Sequence, residues 1–245
     1  MMEIPSLAFL PCLWVTWMCV GVITTLCMTL IGGHLQELVP YICSTGAYYP
    51  ESVVFTVVFC ISAVLGVLTM YVMYKRMTVL SSENGRPIAQ IILLLAGWTT
   101  CAGMMILGIF QVKPYPTLHL IGTLLAIVPG TMYSMCQAFF LYTVSQCSKH
   151  LRRLRSVICA MAIITSLTLT ASYIASVKLC HPGIVCVLPA NTISAIGEWI
   201  WVTTLMLTIL TYTPECQLLC MKFTCKLDQD WICPREKVHA GPEYP

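Results

Sequence analysis

The chain predicts an all-α fold, a polytopic membrane protein with six transmembrane helices in one bundle, and three observations carry that expectation. Only 9% of its 245 residues are charged while 58% are hydrophobic, where an ordinary soluble domain carries roughly 25% charged residues. The 13 basic and 10 acidic side chains are too few to cover a globular core of this length, so the surface has to face lipid. Those charges leave uncharged runs at 4–36, 52–74, 87–112, 114–148, 156–177, 179–197 and 199–214. Most of them match the ~20 apolar residues that a bilayer crossing needs.

Each span follows from its run. Trimmed at flanking Gly, Pro and polar residues, the first five runs give helices at Leu10–Ile31, Ser52–Tyr74, Ile88–Phe110, Leu118–Val144 and Ser156–Val177. The last two runs are each too short to cross alone and merge into a sixth span, Thr192–Tyr212, interrupted by Glu198. Residues 1–212 then form the membrane domain. Residues 213–245 form a short tail, punctuated by Cys and Pro and too small to hold a core of its own. A signal peptide is the competing reading of the first run, but its apolar region would be about 7–15 residues long and follow a basic flank. Neither holds here.

Orientation follows from Lys and Arg, which are retained in cytoplasmic loops and depleted from translocated ones. One side receives Lys75, Arg76, Arg86, Lys149, Arg152, Arg153, Arg155, Lys222, Lys226, Arg235 and Lys237, and the other only Lys113 and Lys178. Eleven against two puts both termini in the cytoplasm and calls for an even number of spans. Neither Asn84 nor Asn191 starts a glycosylation sequon, so the outer side carries no sugar marker.

Lipid offers no hydrophobic drive for helices to associate, so small side chains that let backbones approach have to supply much of it. In the fourth span Gly122, Ala126, Gly130, Ser134 and Ala138 recur every four residues, which predicts an interhelical seam. Ala171 with Ala175 and Ser172 with Ser176 make the fifth span the expected partner. Pro129 removes one backbone donor and predicts a kink over Leu125–Pro129.

Glu198 is the acid within a span, where a carboxylate has to be paired, protonated or in contact with water. His119 enters from the same side and is the candidate partner nearest in depth, with Asn191 and Tyr41 also in that layer. A structural hydrogen bond between helices, a headgroup or ion contact, and a proton relay are the three readings of Glu198. With no file of ionisable groups in the spans, an ion-coupled pump is poorly supported. The outer loop between the first two spans holds Pro40, Tyr41, Thr45, Gly46, Pro50 and Glu51, an ordered cap or a recognition surface. There Glu51 faces the positive end of the second helix.

Of the 15 cysteines, those inside spans behave as small hydrophobes. On the outer side, Cys180 and Cys186 close a short loop and are candidates for a disulfide, with Cys43 free or competing. The juxtamembrane Cys147, Cys216 and Cys220 are candidates for S-acylation. Lys149, Arg152, Arg153 and Arg155 make the densest basic stretch, which we expect as a cytoplasmic loop. It serves as a topology signal or as a docking point for anionic phosphoinositides or a cytoplasmic protein. No catalytic triad, phosphate-binding loop or metal-ligand spacing emerges. The chain reads as a non-enzyme without cofactor or metal, whose partners are membrane lipids or a cytoplasmic protein and not nucleic acid.

Three separated strings add a resemblance: PYICSTGAYYPES (40–52), FQVKPYPTLHLIGTLLAIVPGTMYSMCQ (110–137) and NTISAIGEW (191–199). Taken together they resemble the damage-regulated autophagy modulator (DRAM) family of the larger FRAG/DRAM/SFK group. The family pattern P-[YF]-I-S-D-T-G-x-x-P-P-E-S maps onto Pro40, Tyr41, Ile42, Thr45, Gly46, Pro50, Glu51 and Ser52. The chain departs from it at Cys43, Ser44 and Tyr49. His119 and Gly122 match in the second string, and Ser194, Ala195, Glu198 and Trp199 in the third. The resemblance implies a six-span protein of lysosomal, endosomal or plasma membrane that modulates macroautophagy, sometimes linked to apoptosis. Other branches imply phosphoinositide-kinase recruitment, mechanosensitive currents or lipid remodelling.

Overall fold

The computed structural model describes residues 2–4, 6–35, 39–80, 87–143, 148–179, 188–217 and 221–223. Six long helices dominate: α1 (Phe9–Ile31), α2 (Glu51–Leu80), α3 (Pro87–Ile109), α4 (Pro116–Thr143), α5 (Lys149–Leu179) and α6 (Leu188–Leu210). All six are long and apolar enough to cross a membrane. A four-residue helix α7 (Thr213–Cys216) follows, and β1 (Met2–Ile4) pairs antiparallel with β2 (Met221–Phe223), Met2 opposite Phe223. That ribbon sets both flanking segments at the same end of the bundle. An even number of crossings requires this.

Local chemistry sets several helix ends. Pro87 and Pro116 open α3 and α4 at the first helical position, where a missing N–H costs nothing. α1 closes on Gly32-Gly33: His34 N–H reaches Thr29 O at 3.1 Å and Gly33 N–H reaches Leu30 O at 3.2 Å, with Gly33 at φ +67°. This is the left-handed cap that glycine adopts without a side-chain penalty. Ser148 starts α5, its hydroxyl taking the Leu151 N–H at 3.2 Å. The basic stretch expected as a loop is therefore helical: Lys149, Arg152, Arg153 and Arg155 lie in the first two turns of α5. Nothing in that stretch breaks a helix, and the serine cap supplies the start that the hydropathy pattern could not mark.

Helices adjacent in sequence pack on one another, and α6 returns to α1 to close the ring. Met70, Met73 and Met77, at 2%, 0% and 1% exposure, line one buried face of α2 and share the core with Tyr133 and Tyr212, while Phe55 extends it toward the start of the helix. Flexible methionines fill the irregular space between the helices. Outward residues such as Ile164 and Leu167 on α5 remain exposed, as a lipid-facing surface requires.

Candidate functional site

At the end of the bundle where α1 passes to α2, the segment 39–50 folds down between the helices. Its one turn of 3-10 helix, Cys43–Gly46, buries Thr45 completely. The Thr45 hydroxyl donates to Ile42 O at 2.7 Å, Thr29 donates to Thr45 O at 2.8 Å, and the Thr25 and Thr45 hydroxyls meet at 3.0 Å. Gly46 lies so close to Phe55 that a Cβ there would come within 2.3 Å of its ring. These contacts fasten the turn to α1 and α2.

Its other side is fastened to α6. One oxygen of Glu198 accepts the Ile42 N–H at 2.9 Å and the other accepts the Cys43 thiol at 2.9 Å. One residue further on, the Trp199 indole N–H donates to Pro40 O at 2.8 Å. Burial, and next to it the carboxylate of Glu198, hold the Cys43 thiol well above its ordinary range. Cys43 therefore works as a neutral donor rather than as a thiolate nucleophile.

A second acid, Glu51, is buried at the first turn of α2 and accepts the His34 ring N–H at 3.0 Å. The His34 ring packs against Tyr48 at 4.7 Å, and the Lys113 ammonium sits 3.7 Å above the Tyr48 ring. His119, expected as the partner of Glu198, is turned away from it. Its Nδ1–H donates to Phe110 O at 2.7 Å, closing the tight connection between α3 and α4. The depth was shared, but the directions in which the two side chains leave their helices were not.

At the opposite end, Glu215 of α7 is 3% exposed and stands between two guanidinium groups, Arg76 of α2 and Arg155 of α5, each at 2.9 Å from one carboxylate oxygen. Both are charge contacts rather than aligned hydrogen bonds. Arg155 also donates through Nε to Thr211 Oγ1 at 2.8 Å and through a terminal nitrogen to Thr211 O, and it lies 5.1 Å from the Tyr212 ring centre. Arg155 is thus committed inside the protein, while Lys149 and Arg153 are exposed. Cys216, weighed for S-acylation, is fully buried, which removes it from reach of an acylating enzyme.

The small-residue stripe of α4 faces α3. A Cβ on Gly103 would meet Ala126 N at 2.4 Å, and one on Gly122 would meet Leu107 N at 2.7 Å, so the two backbones touch at this crossing. Ala126, Gly130 and Ser134 continue along the buried side and Ala138 is half-buried. The partner at this crossing is therefore α3; of the rows on α5, Ala171 is exposed and Ser172 half-buried, and the side chains of Ala175 and Ser176 lie outside the described residues. A glycine in each helix permits an approach that alanine pairs do not.

Sequence reasoning placed Glu198 but not its partners, and it missed Glu215, Arg76 and Arg155 as one cluster. The available signal was that one acid and two arginines each sit at the same-side end of a span. Cys180 and Cys186 lie outside the described residues; Cys43 is a free thiol. Among the described residues no group of three or more His, Cys, Asp or Glu is placed to hold a metal ion. What the two ends can do chemically is hold helices and a loop in register through buried polar contacts.

Fold and site together define a six-helix integral membrane protein held at one end by Glu198 and at the other by Glu215. The chain matches the family described as Frag1/DRAM/Sfk1/Cwh43P N-terminal domain over residues 6–218. It belongs to that family. It is 30% identical to human DNA damage-regulated autophagy modulator protein 1 over 92% of this chain and 97% of that protein. To bovine DNA damage-regulated autophagy modulator protein 2 it is 31% identical, over 56% of this chain and 52% of that one. Mouse transmembrane protein 150A is 28% identical over 72% of this chain and 61% of its own length. No solved structure matches.

Proposed function

We propose that this chain is a multi-pass membrane modulator of macroautophagy that acts as an adaptor or regulator without catalysis, at a lysosomal or endosomal membrane with both termini in the cytoplasm. The observation that supports this most is near full-length similarity, 30% identity over 92% of the chain, to a protein named as an autophagy modulator. Two of the strings that carry the family resemblance, 40–52 and 191–199, hold each other through Ile42, Cys43 and Pro40 on one side and Glu198 and Trp199 on the other. Glu198 and Glu215 act as fasteners at the two ends, so the function rests on presenting a rigid bundle to lipid and to cytoplasmic partners.

The test is re-expression of the tagged chain in cells lacking it, with lysosomal turnover of a lipidated autophagosome marker as readout and organelle markers alongside. Raised turnover with the tag on lysosomes or endosomes supports the reading. Unchanged turnover from correctly inserted protein overturns it.

A second reading draws on the exposed Lys149 and Arg153 at the start of α5: a plasma-membrane scaffold that engages anionic phosphoinositides or the kinase making them. Each such charge near an anionic leaflet contributes about 1 kcal/mol. Replacing Lys149, Arg152 and Arg153 with Gln then releases the chain's phosphoinositide or kinase partner, and retention rules the reading out.

A further inference from the structure

The two arginines that meet Glu215 are not used alike. Arg155 is engaged on every side: Nη1 meets Glu215 Oε1 at 2.9 Å, Nε donates to Thr211 Oγ1 at 2.8 Å, and Nη2 donates to Thr211 O. Only 4% of its side chain is open. Arg76 offers Nη1 alone, 2.9 Å from Glu215 Oε2, and 15% of its side chain is open. Among the described residues nothing else pairs with Arg76. Its Nε–Nη2 edge, which can take an oxyanion through two parallel N–H bonds, is therefore unused inside the protein. Charge points the same way. Two guanidinium groups face one carboxylate, so the cluster keeps one positive charge in excess, and a poorly hydrated charge without a counter-ion is costly. The uncharged run of α2 ends at Tyr74 and that of α5 begins at Ser156, which puts both arginines where hydrocarbon gives way to headgroups. Lys75 is exposed and turns its ammonium back over the Tyr71 ring, 5.5 Å from its centre, adding a cation at the same boundary.

We propose that the open edge of Arg76 is a binding site for a phosphate group, supplied by the headgroup of an anionic phospholipid or by free phosphate. Glu215 already shows that the cluster accepts an oxyanion, and a phosphate fits the guanidinium fork as a carboxylate does. Net charge selects among headgroups. Phosphatidylcholine carries its own ammonium beside the phosphate and leaves the excess positive charge unbalanced, whereas a headgroup with a net negative charge balances it. Arg76 then joins Glu215 to the bilayer surface, so the contact between α2 and α7 tightens when the surrounding leaflet is anionic. Which leaflet supplies the lipid rests on the orientation proposed above, the cytoplasmic one being the anionic one. The exposed Lys149 and Arg153 are not part of this site.

The test measures thermal unfolding of the full chain in phosphatidylcholine nanodiscs, with and without phosphatidylglycerol, and in a separate arm with inorganic phosphate against chloride at equal ionic strength. Phosphatidylglycerol should raise the melting temperature by several degrees. A rise with the lipid alone assigns the site to a headgroup, and a rise with inorganic phosphate as well assigns it to phosphate from either source. Arg76→Gln should lose most of the rise, and Arg76→Lys, which has no bidentate edge, serves the same purpose if the first variant does not fold. Glu215→Gln should melt lower than the unaltered chain in phosphatidylcholine yet gain a larger rise, because two positive charges are then left to balance. A purely structural role for Glu215 does not produce that gain. Lys149→Gln combined with Arg153→Gln should keep the rise. No rise with either phosphate source overturns the proposal, as does a rise that survives in the Arg76 variants, one that disappears with Lys149 and Arg153, or a smaller one in Glu215→Gln. Purified protein in defined lipid gives these readings whether or not autophagic turnover responds, so failure here and failure of the function proposed above are separate results.

Discussion

The carboxylate of Glu198 on α6 accepts the backbone N–H of Ile42 at 2.9 Å, across more than half the chain. This one contact draws the outer turn into the bundle and joins the last hairpin to the first. The other carboxylate oxygen takes the Cys43 thiol, so both oxygens are in use. A buried N–H left without its acceptor costs more than the bond itself contributed.

Glu198→Ala should lower the stability of the purified protein by about 1.5–3 kcal/mol, the range for hydrogen bonds to charged groups. Glu198→Gln, which keeps one acceptor, should lose less. Thermal unfolding in detergent checks the order, and equal melting of all three proteins would show that the turn is held by its threonines alone.

Cys43→Ser should be tolerated, because a hydroxyl can donate to Glu198 as the thiol does, whereas Cys43→Ala should expose the turn. In the unaltered protein Cys43 should resist maleimide at neutral pH, since its thiol is held well above the ordinary range by burial and by Glu198. The sign follows from linkage. The folded state disfavours the thiolate, so the stabilisation is fully present below the unfolded thiol's pKa of about 8.5 and is lost as pH rises through the folded value. Alkylation rates measured from pH 7 to 10 by mass spectrometry should climb later for Cys43 than for a free thiol. Coincident curves would contradict the burial.

Glu215→Ala leaves Arg155 buried beside an absent partner, and removing one member of a buried pair typically costs about 3–5 kcal/mol. Arg155→Lys should also destabilise, because an ammonium cannot reach Glu215 and Thr211 together as the guanidinium fork does. Arg76 is the more exposed partner, with 15% of its side chain open against 4% for Arg155, so Arg76→Ala should cost less than either. Detergent melting curves of the three variants test that ranking.

Gly122→Val and Gly103→Val each push a side chain into the opposite backbone, where a Cβ alone would already meet an atom at 2.7 Å or less. Overpacking of this kind costs typically about 1–3 kcal/mol. Val at Ala171, which is exposed on α5, should leave the melting temperature unchanged. Fluorescence-detected size exclusion after heating distinguishes the two outcomes.

Several features are legible in the sequence alone. The six helices could be read because an uncharged stretch of about 20 residues has one stable form in lipid, and the polar residue Glu198 stood out because the hydrocarbon tolerates few. The ends were harder. Helices run past the membrane into water, so α5 begins at Lys149, seven residues before its apolar run, through a serine cap that carries no hydropathy signal. The stripe on α4 was visible, but which helix meets it was not, because four-residue spacing marks a face and not a neighbour. Glu215 read as the start of a tail, since its arginines are 139 and 60 residues away in sequence.

Composition and the spacing of the charges by themselves determined that this chain is a bundle of six membrane helices, because lipid hydrocarbon penalises an unpaired charge or an unsatisfied backbone group wherever it falls. Only the tertiary structure decided who meets whom: Glu198 with Ile42 and Cys43, Glu215 with Arg76 and Arg155, Gly122 with Leu107 of α3. Those pairings depend on the direction in which each side chain leaves its helix and on the rotation of each helix in the ring. Packing sets both, and no local pattern in the sequence encodes them.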